Sequence, residues 1–133
     1  MKNTWKKHSF LSLLLLVLLS AAIVVSVVGC ADENDLGKGE TEFTVEVYHE
    51  DGTQKTFTIK TDKKTVGDAL VEVELIDGTE SEYGLMVLTV DGATHDYNDG
   101  GKYWAFYVDG EYAMSGVSST EVTEGAVYAF KVE

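Results

Sequence analysis

The chain has 133 residues with one Cys, no Pro and no Arg, and ten lysines against 23 Asp and Glu give a formal net charge of -13. Acid in this excess repels phosphate backbones, and without Arg there is no bidentate phosphate clamp, so a nucleic-acid partner is excluded on charge. A single Cys also excludes any disulfide within the chain.

The charge is unevenly placed. Lys2, Lys6 and Lys7 precede a run from Phe10 to Val28 that carries no charge and only Ser12, Ser20 and Ser26 as polar interruptions. A basic start followed by an apolar stretch is the order of an export signal, with the lysines on the cytoplasmic side. The run approaches the roughly 20 apolar residues that span a bilayer, so an uncleaved membrane anchor is the alternative. The run ends in Val27-Val28-Gly29-Cys30, which resembles the lipobox of bacterial lipoproteins. That resemblance implies a diacylglyceryl thioether on Cys30 and cleavage just before it. Residues 1–29 then form a signal peptide, and the mature protein is lipid-anchored on the extracytoplasmic face of the cell membrane. A thiolate suits the acceptor role as the strongest side-chain nucleophile near neutral pH, and two acyl chains hold a protein where one holds it marginally. Loss of residues 1–29 removes three lysines and no acid, which takes the net charge from -13 to -16.

Residues 30–41 mix acid and glycine without an apolar period and read as the lipidated Cys and a flexible acidic tether. One domain is expected over residues 42–133, about 90 residues being enough for one core and too few for two. Phe43-Thr44-Val45-Glu46-Val47 and Phe57-Thr58-Ile59-Lys60 alternate in the period of a strand around Asp51-Gly52, which predicts a hairpin. Val66, Ala69, Leu70 and Val73 fall at helical spacing, with Thr65 and Asp68 placed as a capping pair and Gly78 as the stop. Strands follow at Leu85–Val90, Tyr103–Val108, Glu111–Met114 and Ala126–Val132, with turns at Asp91-Gly92 and Asp109-Gly110. The expected fold is α+β: a twisted antiparallel sheet with one helix packed on a face, β-grasp-like in the order β-β-α-β-β-β-β.

The stretch Thr65-Val66-Gly67-Asp68-Ala69-Leu70, then Tyr103-Trp104 with Val108-Asp109-Gly110, then Gly116-Val117 and Glu124-Gly125, resembles the transcobalamin-like C-terminal domain. This is the small domain of intrinsic factor and transcobalamin, and it also occurs alone in bacterial surface lipoproteins. Asp109 departs from the Asn usual in bacterial members, and Ala126 replaces the acid that usually follows the glycine. The resemblance implies cobalamin or a related corrinoid as a candidate ligand and a ligand-facing region at Tyr103, Trp104, Tyr112, Gly116 and Val117. It also implies that a larger helical domain, absent from this sequence, supplies the other half of the clamp in the carriers. Aromatic faces beside main-chain groups suit a flat, partly apolar molecule. The alternation of Tyr103, Ala105 and Tyr107 with Trp104, Phe106 and Val108 makes both faces of that strand apolar, however, so at least one of them is core.

Other constellations carry less. Asp96-Tyr97-Asn98-Asp99-Gly100 starts like a calcium loop, but its glycine comes one place early and no Glu stands at the right distance. His49 and His95 stand far apart in the sequence without neighbours at metal-ligand spacing. Ser115, Ser118 and Ser119 lie in no nucleophile motif, so no enzyme, resident cofactor or metal is expected. The function expected first is a surface lipoprotein that binds a small molecule, a corrinoid or another vitamin, and delivers it to a membrane transporter. The alternative is a cell-envelope module that binds a protein or glycan through a sheet edge or acidic face, without a small ligand.

Overall fold

The alternating segments of the sequence become strands whose apolar residues share one side. In the computed structural model, which describes residues 34–133, β2 (Thr41–Tyr48) and β3 (Gln54–Thr61) form the predicted hairpin. Phe43, Val45 and Val47 are buried and pair with Ile59, Phe57 and Lys55 across the ladder. The signal peptide, Cys30 and the start of the expected tether, residues 31–33, lie outside the described residues. Asp35–Gly37, expected within the tether, instead form β1, a short strand parallel to β3.

Val66–Glu72 form the helix α1, opened as predicted by the Thr65 hydroxyl, which accepts the Asp68 N–H at 3.2 Å. Its stop comes earlier than Gly78. Glu74 takes a left-handed φ of 58°, and the Leu75 N–H closes the last turn on the Leu70 carbonyl at 3.0 Å. Gly78 lies instead in β4 (Ile76–Ser81), at a register shift against β5 (Gly84–Val90). A Cβ there would stand 1.9 Å from the Met86 carbonyl oxygen, so it is close backbone approach, and not helix termination, that requires glycine.

Two sheets form where one was expected. β5 is flanked by β4 and by the two-residue β6 (Ala93–Thr94) in a three-stranded sheet. The larger sheet joins β1, β3, β2, β9 (Val127–Val132), β7 (Trp104–Val108) and β8 (Glu111–Tyr112) in that spatial order. It is mixed, because β2 and β9 are parallel neighbours, as are β1 and β3. The turn at Asp91-Gly92 therefore leads to β6, not to β7, while Asp109-Gly110 joins β7 to β8 as expected. Asp91 and Asp109 both have φ of 48°, followed by positive-φ glycines, which matches tight two-residue hairpins. Asp109 also ties its turn to the start of β9, its Oδ1 accepting the Val127 N–H at 2.9 Å.

The fold is thus α+β with one helix among the described residues. One core unites Phe43, Val45, Ile59, Leu70, Tyr128 and Phe130 with Trp104 and with Val117 of a 3-10 turn at Val117–Ser119. Gly67 lets α1 lie against that turn, a Cβ there meeting Ser118 N and Val117 C at 3.2 Å.

Candidate functional site

β7 decides what is core and what is free. Trp104 and Phe106 turn toward the shared core, with Trp104 buried and Phe106 stacked on Phe130 at 5.2 Å between ring centroids. On the opposite side of the strand Ala105 is buried as well, while Tyr103 and Tyr107 are half-buried. The Trp104 Nε1–H donates to the Ala93 carbonyl at 3.0 Å, so the indole ties the large sheet to β6 of the small one.

A cavity of about 430 Å³ opens beside this indole. One wall is Leu85–Leu88 of β5; the floor is Trp104 and Phe106 with Phe130; Gly116 and Val117 close one end, and the segment His95–Asn98 with Tyr103 closes the other. Tyr97 is exposed at the mouth, its ring 6.3 Å from that of Tyr103, and Met86 is half exposed on the β5 side. The lining is mainly aliphatic and aromatic, with a few polar groups at the rim, which is the ordinary make-up of a small-molecule pocket.

Four of the five residues singled out from the sequence meet here: Tyr103, Trp104, Gly116 and Val117. Trp104 and Val117 are also core residues, each presenting only part of its surface to the cavity. Tyr112 lines a neighbouring, wider depression of about 640 Å³ with Glu111, Met114 and Ser115. Its ring stands edge-on to Tyr107 at 5.5 Å. The Tyr103 hydroxyl is pushed up to about 12, first by the neighbouring Tyr112 hydroxyl, then by desolvation and by the Glu133 carboxylate. Glu133 also accepts from the Tyr107 hydroxyl, which raises that group in turn.

The sequence pattern gave no reason to join the residues behind Trp104. His49 and His95 both meet the indole edge-on, at 5.7 and 5.3 Å between centroids. The His49 Nε2 lies 2.8 Å from Asp91 Oδ2, which the Lys55 ammonium also reaches at 2.8 Å. Burial pushes the Asp91 carboxyl up, but Lys55 and His49 together outweigh it and hold the group below its usual range. Glu50 pairs with Lys102, which lowers it, and stands 3.9 Å from His95 Nδ1. His49 and His95 thus brace the indole by its edges, His95 from the cavity wall and His49 through its bond to Asp91.

Sequence reasoning also missed the β5 wall. The signal was present, because Leu85-Met86-Val87-Leu88 is apolar at successive positions where a half-buried strand would alternate. The segment resembling a calcium loop is a turn closed on itself: Asp96 Oδ1 accepts the Asn98 N–H at 3.0 Å, and its carbonyl accepts the Asp99 N–H at 2.9 Å. Among the described residues no group of three or more His, Cys, Asp and Glu is placed to hold a metal ion.

Residues 63–133, which include every residue lining the cavity, match a family model described as "Domain of unknown function (DUF4430)". A solved structure from Ruminococcus gnavus ATCC 29149, described as a "putative metal binding protein", is 33% identical with a TM-score of 0.66, over 71% of this chain and 97% of that one. Haptocorrin in complex with Cbi is 17% identical with a TM-score of 0.51; the likeness covers 70% of this chain but only 25% of haptocorrin, and shows the transcobalamin-like fold. No curated protein matches the chain.

Proposed function

This chain belongs to the DUF4430 family, and we propose that it is an extracytoplasmic lipoprotein, anchored through Cys30, whose domain binds a small, partly apolar molecule beside Trp104 and delivers it to a membrane transporter. The observation that carries the binding reading is the cavity itself: about 430 Å³, walled by β5 and floored by Trp104, Phe106 and Phe130. Its volume lies within the range of small-molecule sites. Haptocorrin, which shares the fold, is described in complex with Cbi, and a corrinoid or another flat vitamin is therefore the first candidate ligand. The Ruminococcus gnavus relative is described as metal binding, but the walls here offer hydrocarbon and aromatic surface, which favours an organic ligand. The role is binding without a chemical step, since the perturbed groups at the rim are spent on one another. Anchoring rests on the sequence of residues 1–30, and delivery on the resemblance to the transcobalamin-like domain.

The test is calorimetric titration of the fragment from Ala31 onward, which contains the whole described domain, with cobinamide, cobalamin and a panel of vitamins. Trp104 fluorescence gives a site-specific second signal. Saturable binding should weaken tenfold or more in Tyr103→Ala and in Gly116→Phe. The second variant is clean because a Cβ at Gly116 meets nothing within 4 Å and its φ is -70°. Absence of heat with every compound, or binding that both variants leave unchanged, overturns the reading.

A further inference from the structure

Successive side chains of a strand point to opposite faces, so a cavity lying over one face of a strand is lined by alternate residues. β7 follows this rule, contributing Trp104 and Phe106 but not Ala105. β5 breaks it, because Leu85, Met86, Val87 and Leu88 all line the same cavity. The bulge that leaves Leu88 unpaired breaks the alternation at one end of this run, and for Leu85, Met86 and Val87 to line the space together the strand must also present its edge, with its main-chain groups, toward it.

The pairing explains why that edge is open. On one side β5 pairs with β4 from Gly84 to Val90, except at Leu88, which the register shift leaves without a partner; on the other side β6 pairs only with Thr89 and Val90. The open edge is closed at its ends, where the Leu85 N–H donates to Ser118 Oγ at 3.0 Å and the Leu88 carbonyl accepts the His95 N–H at 2.8 Å. Between them no strand of the described residues covers it. A row of uncovered main-chain donors and acceptors is a template for a further strand.

We propose that this cleft receives an extended peptide segment, which adds to β5 by main-chain hydrogen bonding and lays alternate apolar side chains on Trp104, Phe106 and Phe130. Strand addition draws affinity from the main chain and selectivity from alternate side-chain pockets. The bounded edge spans three to four residues, or about 10 to 13 Å at the usual rise of a strand. The acid excess of the chain, with Asp96 at the rim, selects for basic flanks. The occupant is therefore a short segment of a partner protein with apolar residues at i and i+2 between lysines or arginines. The inference uses the cavity of the proposed function but takes a different ligand class, one that competes with a small molecule for the same floor.

The probe is a pool of lysine-flanked heptapeptides with Val, Ile, Leu or Phe at alternate inner positions and Thr between them, titrated into the fragment from Ala31 onward. Amide hydrogen exchange gives the readout along β5. Binding should slow exchange within Leu85–Leu88 and should fall tenfold or more when the inner amides of the same peptides are N-methylated, which removes main-chain donors without touching the protein. It should also fall in Gly116→Phe. No binding from the pool, or N-methylated peptides that bind as well as the parents, overturns the inference. Cobinamide titrated in parallel separates the two readings: heat with cobinamide and none with peptides sinks strand addition alone, and the reverse sinks the small-molecule reading alone.

Discussion

At the scale of single residues, the site divides side chains into those that are fixed and those that are free. Trp104 is fixed by Ala93 at its nitrogen and by His49 and His95 at its edges, and only its cavity side is open. Tyr103 is free at the rim, yet its hydroxyl is pushed up to about 12 with the neighbouring Tyr112 hydroxyl as the largest cause. Tyr112→Phe should therefore bring Tyr103 back toward its ordinary 10.0, seen as phenolate absorbance appearing earlier in an alkaline titration than in the unsubstituted domain. An unchanged last tyrosine would show that desolvation and Glu133 set the value. That Tyr103 and Trp104 matter was legible from their adjacency, but their different fates were not. Neighbours on a strand face opposite ways, and which way is core depends on what packs there.

At the scale of elements, the Asp91-Gly92 hairpin is held by charge as well as by its turn. Asp91 takes a left-handed φ of 48° while its carboxylate bridges His49 and Lys55. Its pKa is lowered in the folded protein, so it binds its proton less readily there than in the unfolded chain. The stabilisation is then complete above the ordinary Asp value of 3.8 and is lost as pH falls through the lower folded value. Asp91→Asn keeps a residue that tolerates positive φ and removes only the charge. It should cost about 1 kcal/mol at neutral pH, discounted for partial exposure, and flatten the acid limb of stability measured by urea unfolding. An acid limb as steep as that of the parent would place the bridge's contribution elsewhere. The hairpins and the helix cap were legible because their signals are local. β4 and the helix stop were not: Ile76–Ser81 is largely polar on its exposed side, and Glu74 ends the helix in a conformation that sequence assigns to glycine.

At the scale of the whole molecule, an acidic domain on a lipid tether is a reading of residues 1–30 and of net charge. Cys30→Ser should release the protein from membranes into the soluble fraction and abolish the mass added by the diacylglyceryl group, checked by fractionation and mass spectrometry of the expressed full chain. A variant that stays in the membrane fraction would point to an uncleaved apolar anchor. The domain gains its cavity because two sheets share one core without closing on each other: β5 of one and β7 of the other both line the space, and β6 pairs with only two residues of β5.

The sequence by itself determined the helix at Val66–Glu72, the alternating strands that supply the core and the tight Asp-Gly hairpins, because each follows from side-chain period or turn chemistry within a few residues. It also brought Tyr103, Trp104, Gly116 and Val117 forward, through the resemblance to a known domain. Only the tertiary structure decided that β2 and β9 pair in parallel, that β5 leaves the main sheet, and that His49, His95 and Asp91 gather behind one indole. These are pairings between segments distant in the chain, and their partners are chosen by which apolar faces can share a core, a choice that no local pattern contains.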